Sequence, residues 1–256
     1  MKLFSLALAT LFTPIFADKV PWERLEIDKA VLLILDLQVG LYGLARDFDP
    51  TLYQRNLLAH AAIGQIFDIP VILTTSAQNG PNGPLPKEIL EMYPDAPLIQ
   101  RNGQVSAWDN EHFRNAVRAT NRTQIIVGGI VTDAPLSWLW LFGKKVIASR
   151  PMSRLAVRTD ILFQGTTTGL IREISNDRMR QAGVNIVSLF YIVCDLMKNW
   201  TFEPGITTIL PWLDTYYPAY GYIARSHAAA IQNGSIAPGE LELISSANGS
   251  LELDKV

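Results

Sequence analysis

The chain has 256 residues, of which 48% are hydrophobic, and this is ample for one large α/β domain with a well-buried core. Its formal net charge of −2 gives no global electrostatic reason to bind nucleic acid. A single cysteine, Cys194, excludes an internal disulfide framework and any cysteine-rich metal site, and the three histidines form no ligand pair at helical spacing. We therefore predict no metal and no nucleic-acid partner.

Residues 1–17 resemble a secretory signal peptide, because Lys2 precedes an apolar run and Ala17 offers a cleavage site. The apolar run is too short for a comfortable membrane span, so we expect no membrane partner. Two locations stay open on this basis. The protein is secreted if the segment is a true signal peptide, and cytoplasmic if the segment is an ordinary extension or follows a misassigned start codon.

The first core element is the uninterrupted apolar run 30–35, which leads into the carboxylate of Asp36. Such a run is typical of a strand buried on both faces, and ligands of open α/β sheets bind at the carboxyl ends of the strands. An ionised Asp36 in that position needs a partner. It either belongs to a ligand site or caps a turn, and Gln38 two residues later favours the ligand site.

Apolar periodicity predicts alternating strands and helices in a single domain over residues 18–200, and therefore a parallel sheet covered on both faces. The predicted elements after the first strand are a helix over 51–67, a strand over 71–75, a helix over 87–92, a strand over 98–101, a helix over 110–120, a strand from 124, a helix over 166–182, a strand over 184–188 and a helix over 189–200. The Gly/Pro-rich loop 76–86 is either a binding loop or a rigid surface excursion. Residues 201–256 are predicted to form an irregular tail used in subunit contacts, since they are rich in Pro, Gly, Tyr and Ser.

The strand from Gln124 leads into Thr132 and Asp133, a tight turn of the kind where α/β proteins place their chemistry. A nucleophile is expected next, but the chain continues with Ala134 and Pro135. Residues 134–164 carry two tryptophans close together and then a basic segment with helix breakers, where the alternation requires a helix and a strand. This stretch is anomalous within an otherwise consistent domain.

Several motifs occur in order and at consistent spacing over residues 26–133 and 165–200. They are Leu32–Gln38, Leu73–Ser76, Gly80–Leu85, Tyr93–Pro97, Ala107–Asn110 and Gly129–Asp133. Together they resemble the isochorismatase-like cysteine hydrolases, and most of all the YcaC-like subgroup. The resemblance implies a Rossmann-like three-layer α/β/α fold with a central parallel sheet, a homo-oligomer, no cofactor, and hydrolysis of a C–N amide or related bond in a small-molecule substrate.

The resemblance also implies a catalytic triad of an Asp, a basic residue and a Cys. Asp36 matches the Asp, Arg101 matches the basic residue, and Pro135 occupies the position of the Cys. In such a triad the carboxylate accepts the thiol proton and the guanidinium favours the thiolate. An unusual cis peptide bond is implied near 131–132. The substrate-binding residues proposed from the resemblance are Gln38, Asn82, Trp108 and Thr132.

Pro135 departs from the family pattern because it has neither a nucleophilic atom nor a backbone N–H for an oxyanion hole. The hydroxyls of Ser137 and Thr132 are weak substitutes for the missing nucleophile. Cys194 lies in the last predicted helix, and we expect it to act there as a small buried apolar residue. The rival interpretation is a catalytically inactive family member that serves as a small-molecule-binding or assembly subunit. A nucleotide-binding Rossmann domain is a third interpretation, although no Gly-x-Gly-x-x-Gly follows the first strand.

A shifted reading frame accounts for the anomaly. When one nucleotide is placed before an allowed set of codons for residues 134–154, the new translation begins Cys-Thr-Thr-Phe-Leu-Ala-Leu-Ala-Leu-Arg-Glu-Glu-Gly-Tyr-Ser-Val. It contains a nucleophilic cysteine, an amphipathic helix, a glycine turn and a strand, as the family requires. We hypothesise that residues 134–164 are translated out of frame and that residues 157–164 are surplus sequence from a retained intron. The alternative is a diverged segment in a protein that has lost its nucleophile.

Overall fold

The computed structural model describes residues 24–131, 156–160, 165–200 and 205–234. The predicted signal peptide at 1–17, most of the anomalous stretch 134–164, and the site positions Thr132 and Pro135 lie outside these ranges. Among the helices within them, none is both long and apolar enough to cross a membrane.

Within the described residues, six parallel strands form one sheet in the order β3-β2-β1-β4-β5-β6. Their bounds are β1 Ala30–Leu35, β2 Val71–Ser76, β3 Leu98–Arg101, β4 Gln124–Gly129, β5 Ala156–Asp160 and β6 Asn185–Val187. The aliphatic strand β1 is buried along its whole length, as expected for an inner strand covered on both faces. The chain runs outward from β1 to β3 and returns to β4 on the other side of β1. The carboxyl ends of β1 and β4 therefore form the switch point where ligands bind in sheets of this type.

Helices cover both faces of the sheet, which confirms the predicted three-layer α/β/α architecture. They are α1 Pro50–Ile66, α2 Lys87–Met92, α3 Glu111–Ala119, α4 Gly169–Gln181, α5 Leu189–Met197, α6 Gly205–Tyr216 and α7 Pro218–Gln232. Leu32 and Ile34 pack into the larger core cluster with residues of α1, α5 and α6. Leu33 and Leu35 point to the other face and pack with residues of α3 and α4.

The expected irregular tail over 201–256 is wrong for residues 205–232, which form α6 and α7. The apolar residues Ile209, Trp212 and Leu213 recur at helical spacing and are buried against α1. The Trp212 indole Nε1 donates a hydrogen bond to the Ala59 carbonyl at 3.0 Å. The glycine and proline content of this region indicated irregular structure, but proline is compatible with the first turn of a helix. Pro218 is the first residue of α7.

Strand β5 is a second departure from expectation. The sequence hypothesis treats residues 157–164 as surplus sequence, but residues 156–160 pair in parallel with both β4 and β6. Val157 and Thr159 are β-branched, and such residues favour extended structure. The assignment to surplus sequence is therefore wrong for residues 157–160, which fill a position in the sheet as printed.

His60 of α1 is fully buried behind β1, with its Nε2 3.5 Å from the Leu33 carbonyl oxygen. Burial lowers the pKa of His60 to about 3. An unfolded chain protonates this imidazole below its ordinary pKa of about 6.5 while the folded chain does not. The stability that neutral His60 contributes is consequently present above pH about 6.5 and is lost as the pH falls toward 3.

We expect His60→Gln to remove this part of the pH dependence of stability. The wild-type free energy of unfolding should lose about 2 kcal/mol more than that of the variant between pH about 6.5 and 5, since one proton changes it by about 1.4 kcal/mol per pH unit. Urea unfolding at several pH values measures this slope. His112→Gln is the control, because His112 is exposed; equal slopes in the wild type and His60→Gln would contradict the assignment.

Candidate active site

Asp36 and Arg101 reach the same point from neighbouring parts of the sheet. Asp36 follows β1 in a left-handed backbone conformation with φ of 55°, which aspartate adopts more readily than most residues. Its backbone N–H donates to the Thr74 carbonyl of β2 at 3.0 Å, which holds the residue at the end of the sheet. Arg101 is the last residue of β3. The parallel arrangement therefore brings the two predicted residues together.

The two side chains form a buried ion pair. The Arg101 Nη2 contacts both carboxylate oxygens of Asp36, and the exposed fractions of the two residues are 1% and 3%. Arg101 Nε donates to Thr74 Oγ1 at 3.1 Å, and its Nη1 donates to the carbonyls of Gln104 and Val105. With all three guanidinium nitrogens hydrogen-bonded, Arg101 is held in one orientation.

Burial raises the pKa of Asp36 above the usual range of a carboxyl group. The charge and hydrogen bonds of Arg101 oppose this rise, as does a hydrogen bond with Ser76. A carboxylate whose pKa is moved toward neutrality in a water-poor site is a better proton acceptor than an exposed one. The pair can therefore take up a proton from a neighbouring group and hold an anion beside the guanidinium.

A cavity of about 220 Å³ lies above this pair, at the carboxyl ends of β1, β2 and β4. Among the described residues, its polar lining comes from Asp36, Ser76, Asn82 and Gln104, and the rest of its lining comes from Leu41, Leu44, Ala77, Gly103, Val105, Ile130 and Val131. The Ile130–Val131 peptide bond is cis, one residue before the position that the family resemblance implied. The cavity thus lies beside the segment that leads to the expected nucleophile position.

Gln38 is fully buried and holds the cavity wall together. Its Nε2 donates to the carbonyls of Ser76 and Gly83, and its Oε1 accepts from the Ser76 N–H at 2.8 Å. Asn82 Nδ2 donates to the Ser76 carbonyl at 2.9 Å and to Ser76 Oγ at 3.1 Å. These bonds fold the loop 76–86 over the site. Ser76, Ala77 and Asn82 line the cavity, so this loop forms part of the candidate site.

Trp108 lies apart from this group. It belongs to a short 3₁₀ turn, Ala107–Asp109, and packs edge-on against Phe113 at a centroid distance of 6.3 Å. It contacts the core cluster on the α3 side of the sheet and is not among the described residues that line the cavity. Its role in substrate binding stays a prediction, as do the roles of Thr132 and Pro135, which the structure does not describe.

Several cavity residues were not predicted individually. Leu41 and Leu44 come from a 3₁₀ segment, Val39–Leu44, and Gln104 and Val105 come from the loop after Arg101. The position of these segments, directly after Asp36 and Arg101 in the chain, is the one sequence signal that could have indicated them. Ser76 ends the motif Leu73–Ser76, which predicts no role for it individually.

Cys194 does not substitute for the expected nucleophile at this cavity. It is a partly buried residue of α5 and is absent from the described cavity lining. Burial, and then the charge of Asp195, raise the pKa of the Cys194 thiol, which lowers its thiolate fraction. Within the described ranges, no group of three or more His, Cys, Asp or Glu residues could hold a metal ion.

A parallel sheet in a three-layer α/β/α fold, with a buried Asp–Arg pair at its switch point, is the arrangement that the resemblance to the isochorismatase-like hydrolases implies. Comparison with known proteins agrees, since the isochorismatase domain profile matches residues 30–135. Probable hydrolase YcaC of Escherichia coli (strain K12) is 34% identical over 212 residues, which are 81% of this chain and 95% of that protein. The chain belongs to the isochorismatase family.

Two solved structures resemble this one over most of their length. YcaC from Pseudomonas aeruginosa, in complex with hexane-2,5-diol and covalent acrylamide, has a TM-score of 0.74 and 36% identity, covering 81% of this chain and 98% of that chain. The YcaC gene product of E. coli, an octameric hydrolase of unknown specificity, has a TM-score of 0.75 and 34% identity, covering 82% and 98%. Both similarities support the YcaC-like subgroup.

Proposed function

We propose that the natural protein hydrolyses a C–N amide or related bond of a small molecule through a cysteine acyl-enzyme, without a metal or organic cofactor. The buried Asp36–Arg101 pair carries this proposal, because it faces a cavity bordered by Ile130 and Val131. In the family these residues lead to the cysteine, whose position here is taken by Pro135. Asp36 is the proton acceptor and Arg101 its electrostatic partner.

The proposed reaction has two stages. Asp36 takes the proton of the cysteine thiol, the thiolate sulfur forms a bond to the substrate carbonyl carbon, and the C–N bond breaks as the leaving nitrogen receives that proton. Water then attacks the thioester with Asp36 as base, which releases the carboxylic acid and restores the thiol. Arg101 keeps the carboxylate oriented and stabilises negative charge as it develops.

The printed chain cannot carry out this reaction, since Pro135 has no sulfur and no backbone N–H. We propose that the segment after Asp133 is out of frame and that the restored frame places a cysteine directly after Asp133, beside the position that Pro135 occupies here. Strand β5, residues 156–160, pairs with β4 in the sequence as given. The proposed frame shift is therefore limited to the residues before 156. Sequencing the transcript across codons 130–168 decides it: a message that encodes Ala134-Pro135 in frame with both flanks, without a splice alternative, excludes the shift.

The second candidate function is a non-catalytic binding or assembly subunit. One observation favours it: the printed chain has Pro135 at the nucleophile position and yet retains a cavity with a hydrogen-bonded wall. In that case ligand binds without being consumed, and Asp36→Ala changes affinity alone. Turnover by a naturally expressed form of the protein would exclude this candidate.

Acrylamide labelling distinguishes the two forms of the chain. The P. aeruginosa relative contains covalent acrylamide, which supports the use of this electrophile as a probe of a reactive site. We expect the frame-restored chain to be modified on its new cysteine within minutes, and the printed chain to be modified far more slowly and on Cys194 alone. Mass spectrometry of intact protein and of peptides measures both.

Cys194→Ser in each form is the matched control, because it removes the background thiol without touching the cavity lining. The frame-restored Cys194→Ser chain should keep its rapid labelling, and the printed Cys194→Ser chain should lose all labelling. Labelling of the frame-restored chain that is no faster than that of Cys194 would contradict the proposed activated cysteine.

Assembly and location complete the proposal. We propose a homo-oligomer, since the E. coli relative is octameric, and light scattering on the purified chain tests this against a monomer.

We propose that residues 1–17 direct secretion. Expression of the full chain in a eukaryotic host, with sequencing of the mature N-terminus, tests the cleavage; an intact residue 1 on intracellular protein would exclude it.

A further inference from the structure

Thr74 is fully buried near the end of β2, the strand that separates the two members of the ion pair. Asp36 follows β1 on one side of β2, and Arg101 ends β3 on the other side. Adjacent strands lie about 4.8 Å apart, so β1 and β3 are separated by about 10 Å. The Arg101 side chain must therefore cross β2 before it reaches the carboxylate.

Thr74 contacts both members of the pair at once. Its backbone carbonyl accepts from the Asp36 N–H at 3.0 Å, and its hydroxyl oxygen accepts from Arg101 Nε at 3.1 Å. The same hydroxyl donates to the Ile99 carbonyl at 2.8 Å, which fixes the direction of its hydrogen. Because that hydrogen is committed, the lone pairs of Thr74 Oγ1 remain available to the guanidinium. One residue of β2 thus links the backbone that holds Asp36 to the side chain of Arg101.

The bond to Nε joins Arg101 to a part of the molecule that its other contacts do not reach. Nη2 binds Asp36, and Nη1 donates to the carbonyls of Gln104 and Val105 in the loop after β3. Thr74 instead belongs to a strand that is paired on both sides. Groups held by the sheet are placed more accurately than groups held by a loop. The Thr74 hydroxyl therefore fixes the guanidinium relative to the strand that also positions Asp36.

We propose that Thr74 is a positioning residue, whose hydroxyl holds the Arg101 guanidinium in the orientation that binds both oxygens of Asp36. Thr74 does not line the cavity, so it acts through the pair. Among the described residues, Arg101 supplies the charge that opposes the effect of burial on Asp36, and Ser76 supplies a further hydrogen bond. A displaced guanidinium would leave the buried carboxylate less well compensated.

Titration of the Asp36 carboxyl group in the printed chain tests this role without reference to catalysis. Aspartate labelled with carbon-13 at Cγ reports each carboxyl group by NMR, and the Asp36→Asn variant identifies the signal of Asp36. Valine has nearly the shape of threonine but no hydroxyl, so Thr74→Val should raise the pKa of Asp36 by at least about half a pH unit. Thr74→Ser keeps the hydroxyl and should restore the wild-type pKa.

Thr75→Val is the matched control. Thr75 is equally buried, and it projects to the opposite face of the sheet because it follows Thr74 on β2. Its hydroxyl donates to Gln78 Oε1 at 2.9 Å and has no part in the ion pair. The control removes the same group from the same strand and should leave the pKa of Asp36 unchanged. An unchanged pKa in Thr74→Val, or equal rises in both variants, would overturn the inference.

Thr74→Ala is a second variant that removes the same hydroxyl and brings no methyl group in its place. If Thr74→Val does not fold, the rise in the pKa of Asp36 is expected in Thr74→Ala, and its absence there would overturn the inference. If neither variant folds while Thr75→Val and Thr75→Ala do, the hydroxyl serves the fold as a whole. That outcome would also overturn the assignment of Thr74 to the pair.

A kinetic measurement extends the inference, and this part alone rests on the proposed function. In the frame-restored chain, Thr74→Val should lower kcat for amide hydrolysis by about tenfold or more, with KM nearly unchanged, because a misplaced Asp36–Arg101 pair affects the chemical step. The acid limb of the pH profile should move to higher pH with the pKa of Asp36, and Thr74→Ser should restore both quantities.

The two measurements separate this inference from the proposed function. A frame-restored chain without activity, together with the expected rise in the pKa of Asp36 in the printed chain, would overturn the proposed hydrolysis and leave the role of Thr74 standing. A fall in kcat without any change in the pKa of Asp36 would overturn the role of Thr74 and leave the hydrolysis standing.

Discussion

Replacing Arg101 with methionine is expected to lower the free energy of unfolding by about 3–5 kcal/mol at neutral pH. Asp36 is 3% exposed, and the substitution leaves its carboxylate buried without the cation that binds both of its oxygens. The carbonyls of Gln104 and Val105 lose their donors in the same change. Urea unfolding followed by circular dichroism measures the loss. Arg180→Met is the control, since the Arg180–Asp177 pair is exposed, and it should cost less than about 1 kcal/mol.

The loss in Arg101→Met should depend on pH in a definite direction. Burial already raises the pKa of Asp36, and removal of Arg101 removes the main opposing effect, so the folded pKa rises further above the unfolded value. A group with a raised folded pKa destabilises the fold as the pH rises through that pKa. The destabilisation should therefore be smaller at pH about 5 than at pH about 8, and adding Asp36→Asn should remove the difference. A loss that is independent of pH would show that the Asp36 charge is not its cause.

The fold could be predicted from sequence where local patterns were strong. The predicted bounds of the elements from β1 to β3 lie within a residue or two of the observed bounds. The signals were the aliphatic run of β1 and the alternation of apolar patterns typical of strands and helices. Local capping explains part of this agreement, because Asp49 accepts from the Leu52 N–H at the start of α1 and Asn110 accepts from the Phe113 N–H at the start of α3. In both places sequence and tertiary structure specify the same boundary.

Prediction failed where composition and packing disagreed. Residues 205–232 were judged by their glycine and proline content, yet Trp212 and Leu213 pack on α1 and stabilise a helix that also contains Pro211. Strand β5 was missed because its neighbours in sequence are anomalous, and only the pairing with β4 and β6 reveals it. Such effects depend on contacts between distant parts of the chain, which local propensity does not contain.

Part of the candidate site could be predicted from the sequence, namely the Asp36–Arg101 pair, and part could not. Asp36 and Arg101 were named from a family pattern, and the parallel sheet explains why residues 65 positions apart meet. The pattern could not show that Gln38 is fully buried and acts through the Ser76 and Gly83 carbonyls, since burial depends on how the loop 76–86 folds back. Gln38 therefore holds the cavity wall through hydrogen bonds, and its role in substrate binding stays a prediction.

In the frame-restored chain, Asp36→Asn is expected to lower kcat for amide hydrolysis by about 10²–10⁴-fold. Asparagine keeps the shape of the side chain but cannot accept the thiol proton or return it to the leaving nitrogen. The acid limb of the pH profile should also change. Activity that needs ionised Asp36 is lost as the pH falls through its raised pKa, and the Asn variant should lack this limb. Steady-state kinetics across pH measures both effects.

Acrylamide labelling of the same variant separates proton transfer from thiolate formation. Labelling needs a thiolate but does not need a proton donor for a leaving group. In Asp36→Asn the Arg101 guanidinium no longer has a carboxylate partner, so it can stabilise that thiolate directly. The labelling rate should therefore fall much less than kcat. Asp95→Asn, at an exposed position in the loop before β3, is the matched control and should change neither quantity. An equal fall in labelling and turnover would assign Asp36 to activation of the thiol alone, and unchanged turnover would exclude it as the base.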